Sequence, residues 1–172
     1  MKKKFLIGSS TIGILLLIIL VSMFLPKDFF GYYRDIDMVR EEQSKIYDNG
    51  VFIHTQKTEN RYMDFIVGND LNVVKIKFKD TGFGPKYRVS SIQTFSDFQD
   101  FLEDDIAYYK KYNEPSFSYV SWISEWTAQP KEKVLWAILP AEFSVTDTDA
   151  TPYKFTYNDE EYVLYIKVEK AD

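Results

Sequence analysis

The chain has 172 residues, a formal net charge of −5, one histidine and no cysteine. That length fits one domain with a short appendage. Absent cysteines exclude disulfides, thiolate metal sites and cysteine nucleophiles, and a single histidine excludes any site that needs two imidazoles.

In chain order, the first strong feature is an uncharged run from Phe5 to Leu25, preceded by Lys2, Lys3 and Lys4. It holds 21 residues, 15 of them large and apolar. As one helix it would reach about 31 Å, close to the ~30 Å hydrocarbon core of a bilayer. A secretory signal peptide has a shorter apolar region and a small-x-small cleavage site, which Leu20 before Ser22 does not supply. The reading is therefore an uncleaved transmembrane signal anchor over 5–25, behind a basic cytoplasmic stub over 1–4. Basic residues before the span place the N-terminus in the cytoplasm and everything after Leu25 outside the cell membrane. With no Asn-x-Ser/Thr acceptor anywhere, a bacterial envelope is the expected setting. Ser9 and Gly13 make a small-xxx-small pair, which leaves room for a homodimer through the span.

From Asp28 onward there are 17 basic and 26 acidic residues, a net charge of −9. That balance argues against nucleic acid or anionic lipid as a partner of this part. All but two of the aromatic residues lie here. Such a composition packs a core and is not disordered.

Residues 26–50 read as a juxtamembrane helix, with Ile36, Val39 and Ile46 near helical spacing between Tyr33 and Tyr47 and a stop at Asp48-Asn49-Gly50. Residues 51–172 read as one extracytoplasmic domain. The period changes to two across Val51–Lys57, Arg61–Val67, Asn72–Lys79 and Lys86–Thr94. Val74, Ile76 and Phe78 alternate with Lys75, Lys77 and Lys79, as on a sheet with one wet face. A second helix is expected over Asp97–Tyr112, capped by Ser96 with Gln99 three later. Strands are then expected at Phe117–Trp126, Val134–Leu139, Phe143–Thr146, Tyr153–Tyr157 and Tyr162–Glu169, with a hairpin turn at Asn158–Glu161. The fold class that follows is α+β: a transmembrane helix, then one domain with an antiparallel sheet and two helices. The element order also allows two copies of a helix-plus-meander unit.

Candidate sites are few. Asp105 falls near the centre of the apolar helix face made by Phe98, Phe101, Leu102, Ile106 and Tyr109. A carboxylate there is either hydrogen-bonded by its neighbours or titrates high enough to serve as a general acid. His54 lies mid-strand with no nucleophile elbow elsewhere, which reads as structural. Asp147-Thr148-Asp149 could hold a hard cation but lacks the glycine and further ligands of a calcium loop. Gly82-x-Gly84 is not a dinucleotide fingerprint, because the third glycine is missing and a strand follows. Trp122 and Trp126 share one face of a strand. They suit core packing beside Trp136, or an interface hot spot, or a sugar-stacking platform.

The functional expectation is a membrane-anchored, non-catalytic protein-binding or scaffolding module in the envelope. Its expected partners are the bilayer through the N-terminal helix and a membrane or envelope protein, with no cofactor and no metal. The alternatives are a carboxylate-dependent enzyme on a wall polymer, using Asp105, Asp147 and Asp149, or a sensor of a small ligand or cation.

Overall fold

A computed structural model describes residues 12–14, 17–18, 25, 27–28, 30–58, 61–82, 84–119, 132–143, 145 and 149–170. Two short helices precede the first strand, α1 (Ile36–Glu42) and α2 (Ser44–Tyr47). Four strands follow: β1 (Val51–Lys57), β2 (Arg61–Val67), β3 (Leu71–Thr81) and β4 (Gly84–Phe95). Helix α3 (Phe98–Tyr112) leads to β5 (Ser118–Tyr119), β6 (Glu132–Pro140), β7 (Thr151–Tyr157) and β8 (Glu160–Lys170).

Two four-stranded antiparallel sheets result, one ordered β1-β2-β3-β4 and the other β5-β6-β8-β7. Strand makes up 52% of the described residues and helix fewer. This corrects the α+β expectation of one sheet with two helices. The reason lies in strands that are apolar on both faces. Along β2, Met63, Phe65 and Val67 point toward the second sheet, while Ile66 points the other way, under α1. Neither face can be left to water, so both are covered. Lys75, expected on a wet face, is accordingly buried. The idea of two equivalent units also fails, since the first sheet is a simple meander and the second is not.

The main core lies between the sheets. It joins Phe65, Leu71 and Val73 to Phe98 and Leu102 of α3 and to Trp136, Ile138, Leu164 and Ile166 of the second sheet. Trp136 is the hub: its ring stacks on Phe101 at 5.5 Å and meets Phe65 and Phe95 edge-on at 5.7 and 5.2 Å.

The expected helix over 33–47 is broken in two. Gln43 leaves helical geometry, and its N–H turns to Arg40 O and Glu41 O. Its start is later than expected because Tyr33 is engaged elsewhere, exchanging both backbone hydrogen bonds with Tyr87 at 2.7 Å, while Asp35 caps α1. The N-cap of α3 is Asp97, not Ser96: its carboxylate accepts from Gln99 N and Asp100 N. The β7–β8 hairpin turns on Asn158 and Asp159 alone, both at positive φ, as a two-residue loop requires. No strand forms at 143–146 among the described residues. Only Ser118–Tyr119 of the expected 117–126 strand lies in a described strand.

Among the described residues no helix is long and apolar enough to cross a membrane. The expected transmembrane helix from Phe5 to Leu25 is therefore corrected, and with it the signal anchor, the membrane location and the extracytoplasmic topology. Within that stretch the structure describes residues 12–14, 17–18 and 25. Hydropathy of a run measures transfer tendency; it does not by itself make one continuous rod. Phe5 lies outside the described residues, and Leu25 is exposed.

Candidate functional site

Three polar centres stand out against the core. The first is Asp64 on β2, fully buried beneath α1. Arg40 Nε donates to Oδ2 at 2.8 Å and Arg40 Nη2 to Oδ1 at 3.2 Å. Tyr47 Oη donates to Oδ2 at 2.6 Å, and Thr55 Oγ1 to Oδ1 at 2.7 Å. Four donors occupy the four lone-pair directions of the carboxylate. The register explains the set: Thr55 is directly opposite Asp64 on β1, and α1 and α2 lie over that face. Arg40 is held more basic than usual by Asp64, and burial raises the Tyr47 hydroxyl well above the ordinary tyrosine range. This saturated cluster fastens the helices to the sheet. The sequence reading did not single it out, although an aspartate between Met63 and Phe65 in an apolar strand was a visible clue.

The second centre is Asp105, 5% exposed on the inner side of α3. It takes a backbone hydrogen bond from Ile138 and a side-chain hydrogen bond from Ser116. Among the described residues strand β5 pairs with Leu135 and Trp136 of β6, and two residues further along β6 the helix carboxyl serves the backbone at Ile138. Its Oδ2 is buried without a hydrogen-bond partner among the described residues. Burial pushes the carboxyl up to about 7, reinforced by Asp104 and opposed by the bonds from Ile138 and Ser116.

The third is His54. Its ring stacks on Tyr153 of β7 with centroids 3.6 Å apart, where the edge strands of the two sheets meet. Burial lowers its pKa, against a hydrogen bond to the Gln56 side chain that raises it. At neutral pH it is an uncharged stacking ring.

The other sequence candidates disperse. Asp149 has a side chain 90% exposed, 3.8 Å from Lys167 on the surface. Asp147, Trp122 and Trp126 lie outside the described residues. No group of three potential metal ligands occurs among the described residues. Gly84 takes φ +101 to close the β3–β4 turn, a structural duty.

Two surface features remain. At one end of the sandwich, the β2–β3 turn, the start of α3 and the β7–β8 turn enclose an open depression of about 330 Å³. Its polar rim is largely committed: Asp70 Oδ1 accepts from Asp97 N, and Asn69 O accepts from Phe98 N. Along the flank runs β4, twelve residues long and the outer strand of its sheet. Tyr33 bridges its outer side at Tyr87. Lys86 holds Asp28 at 2.7 Å, and the Arg88 guanidinium lies 4.8 Å over the Tyr32 ring, so the leading segment is lashed to the lower half of the strand. Beyond that, from Val89 to Phe95, no strand adjoins the outer side among the described residues. Ser90, Ser91, Ile92 and Thr94 are exposed there.

Comparison with known proteins finds no matching family model, no matching characterised protein and no matching solved structure.

Proposed function

We propose that the protein is a non-catalytic binding module that takes up an extended segment of another polypeptide along the outer side of β4. The observation that carries this reading is the upper half of that strand, which no strand adjoins among the described residues. An edge strand presents a row of backbone donors and acceptors, and natural proteins usually cover such rows. Added strands bind through them, with side-chain contacts selecting the partner. The chain already uses this edge once, since Tyr33 docks on Tyr87 with two backbone hydrogen bonds. The buried acids support the same reading, because Asp64 is saturated and Asp105 lies on the inner side of α3, where each serves packing.

A photoreactive residue placed at Ile92, in the cells that make the protein, tests it. The expected result is a discrete covalent adduct that the same residue at Val51 or Lys154 does not give. Equal adducts from all three positions, or none from Ile92, would remove the reading.

A further inference from the structure

Resting on strand addition at β4, we infer that the segment leading into α1 is an autoinhibitory strap: latched by Asp28, it bars an incoming strand from the lower half of that edge. Tyr33 exchanges both backbone hydrogen bonds with Tyr87 at 2.7 Å, in the antiparallel sense. The residues just before Tyr33 therefore run up the outer side of β4 toward Val89. There the chain folds back. Asp28 N donates to Tyr32 O at 2.8 Å, Gly31 N donates to Asp28 O at 2.9 Å, and Lys27 pairs with the far side of Tyr33. The turn stands beside Arg88, whose guanidinium lies 4.8 Å over the Tyr32 ring. A strand that enters along Val89–Phe95 meets this turn end-on.

One carboxylate both shapes the strap and ties it down. Asp28 Oδ1 accepts from Phe30 N and Tyr32 N, each at 2.9 Å, and Oδ2 accepts from Lys86 Nζ at 2.7 Å. Burial would raise this carboxyl, but the bonds from Lys86 and from Tyr32 N–H outweigh it and hold it below the usual range. The strap is nonetheless lightly held. Among the described residues its ladder contact with β4 is the single Tyr33–Tyr87 pair, and Phe30 is 75% exposed. Its second ion pair, Lys27 to Glu42 at 2.6 Å, lies at the surface, where such pairs stabilise little. Segments fastened in this way open locally without unfolding the domain. An added strand binds through a run of ladder hydrogen bonds. With the strap displaced, that run extends from Val89–Phe95 to the whole of β4, so a longer incoming strand competes with the strap for the same backbone groups.

Asp28→Asn isolates the latch. An asparagine oxygen still accepts from Phe30 N and Tyr32 N, while its amide nitrogen cannot accept from Lys86. Two measurements on the full chain test the strap, with circular dichroism to confirm that each variant is folded. Hydrogen exchange at the Tyr87 amide, which donates to Tyr33 O, should quicken about threefold in Asp28→Asn, the scale of an exposed ion pair, with the Phe65 amide unchanged. In the cells that make the protein, the adduct from the photoreactive Ile92 position should rise by a similar factor in Asp28→Asn. It should rise further in Asp28→Ala, which loses the turn as well. An unchanged exchange rate in Asp28→Asn, or an adduct at its original yield in both variants, overturns the strap and leaves strand addition standing. No adduct from Ile92 in the original chain or in either variant overturns both.

Discussion

Asp105 sits where burial and hydrogen bonding pull in opposite directions, and burial wins. Its native pKa is raised from 3.8 to about 7. The folded state therefore holds its proton more tightly than the unfolded chain. The stability that this gives is full below about pH 4, declines as pH rises through the interval, and is gone above about pH 7. At about 1.4 kcal/mol per pKa unit the swing is about 2–4 kcal/mol, the lower figure allowing for relaxation around the ionised group. Urea unfolding at pH 5 and pH 8 should show it, and Asp105→Asn should flatten the difference; an equal slope in both proteins would remove the assignment. Asp64 is the opposite case, a carboxylate whose four donors replace water. Asp64→Ala should cost about 3–5 kcal/mol in urea unfolding, because the half-buried Arg40 guanidinium loses its counter-ion. Thr55→Ala should cost about 1 kcal/mol, the usual worth of a lost hydrogen bond. From sequence, Asp105 could be placed on an apolar helix face by period alone. Asp64 could not be matched with Arg40, Tyr47 and Thr55, because these contacts span up to 24 residues and depend on register and helix placement.

Turns and caps decide where the elements stop. Asp97 caps α3 from positive φ (+57), with its own N–H held by Asp70. Asparagine keeps the cap and tolerates that backbone, glycine tolerates it without the cap, and alanine does neither. Melting temperatures should therefore fall in the order Asp97 or Asn, then Gly, then Ala, with alanine losing about 1–2 kcal/mol. Two glycines give a matched contrast. A Cβ at Gly68 would meet the Asn49 carbonyl oxygen at 2.7 Å, and backbone cannot step aside; at Gly82 it would meet nothing within 4 Å. Gly68→Ala should destabilise by more than 1 kcal/mol, roughly the range of overpacked sites, while Gly82→Ala should be neutral in the same thermal scan. Most strand ranges were legible from alternation and from Gly, Asn and Asp at the turns. The cap moved by one residue, since Ser96 and Asp97 are both good caps and the choice is made by the contact with Asp70. The helix expected from 33 starts later because Tyr33 pairs with β4, a contact 54 positions away in the chain.

At the scale of the whole molecule, one core joins both sheets and α3, so they should unfold together. Phe65→Ala in the first sheet and Leu164→Ala in the second should each cost about 3–5 kcal/mol. Each should shift near- and far-ultraviolet circular dichroism transitions equally; separated transitions would mean that the sheets are independent. The sequence by itself determined the local events: where period two replaces helical period, which turns close the hairpins, and that an acid interrupts the apolar face of α3. These depend on neighbours a few residues apart, which one chain displays directly. Only the tertiary structure decided that the strands divide into two stacked sheets, that both faces of β2 and β3 are covered, and that no strand among the described residues adjoins the upper half of β4. Which apolar face meets which is settled by packing among distant segments, and hydropathy along the chain does not encode that choice.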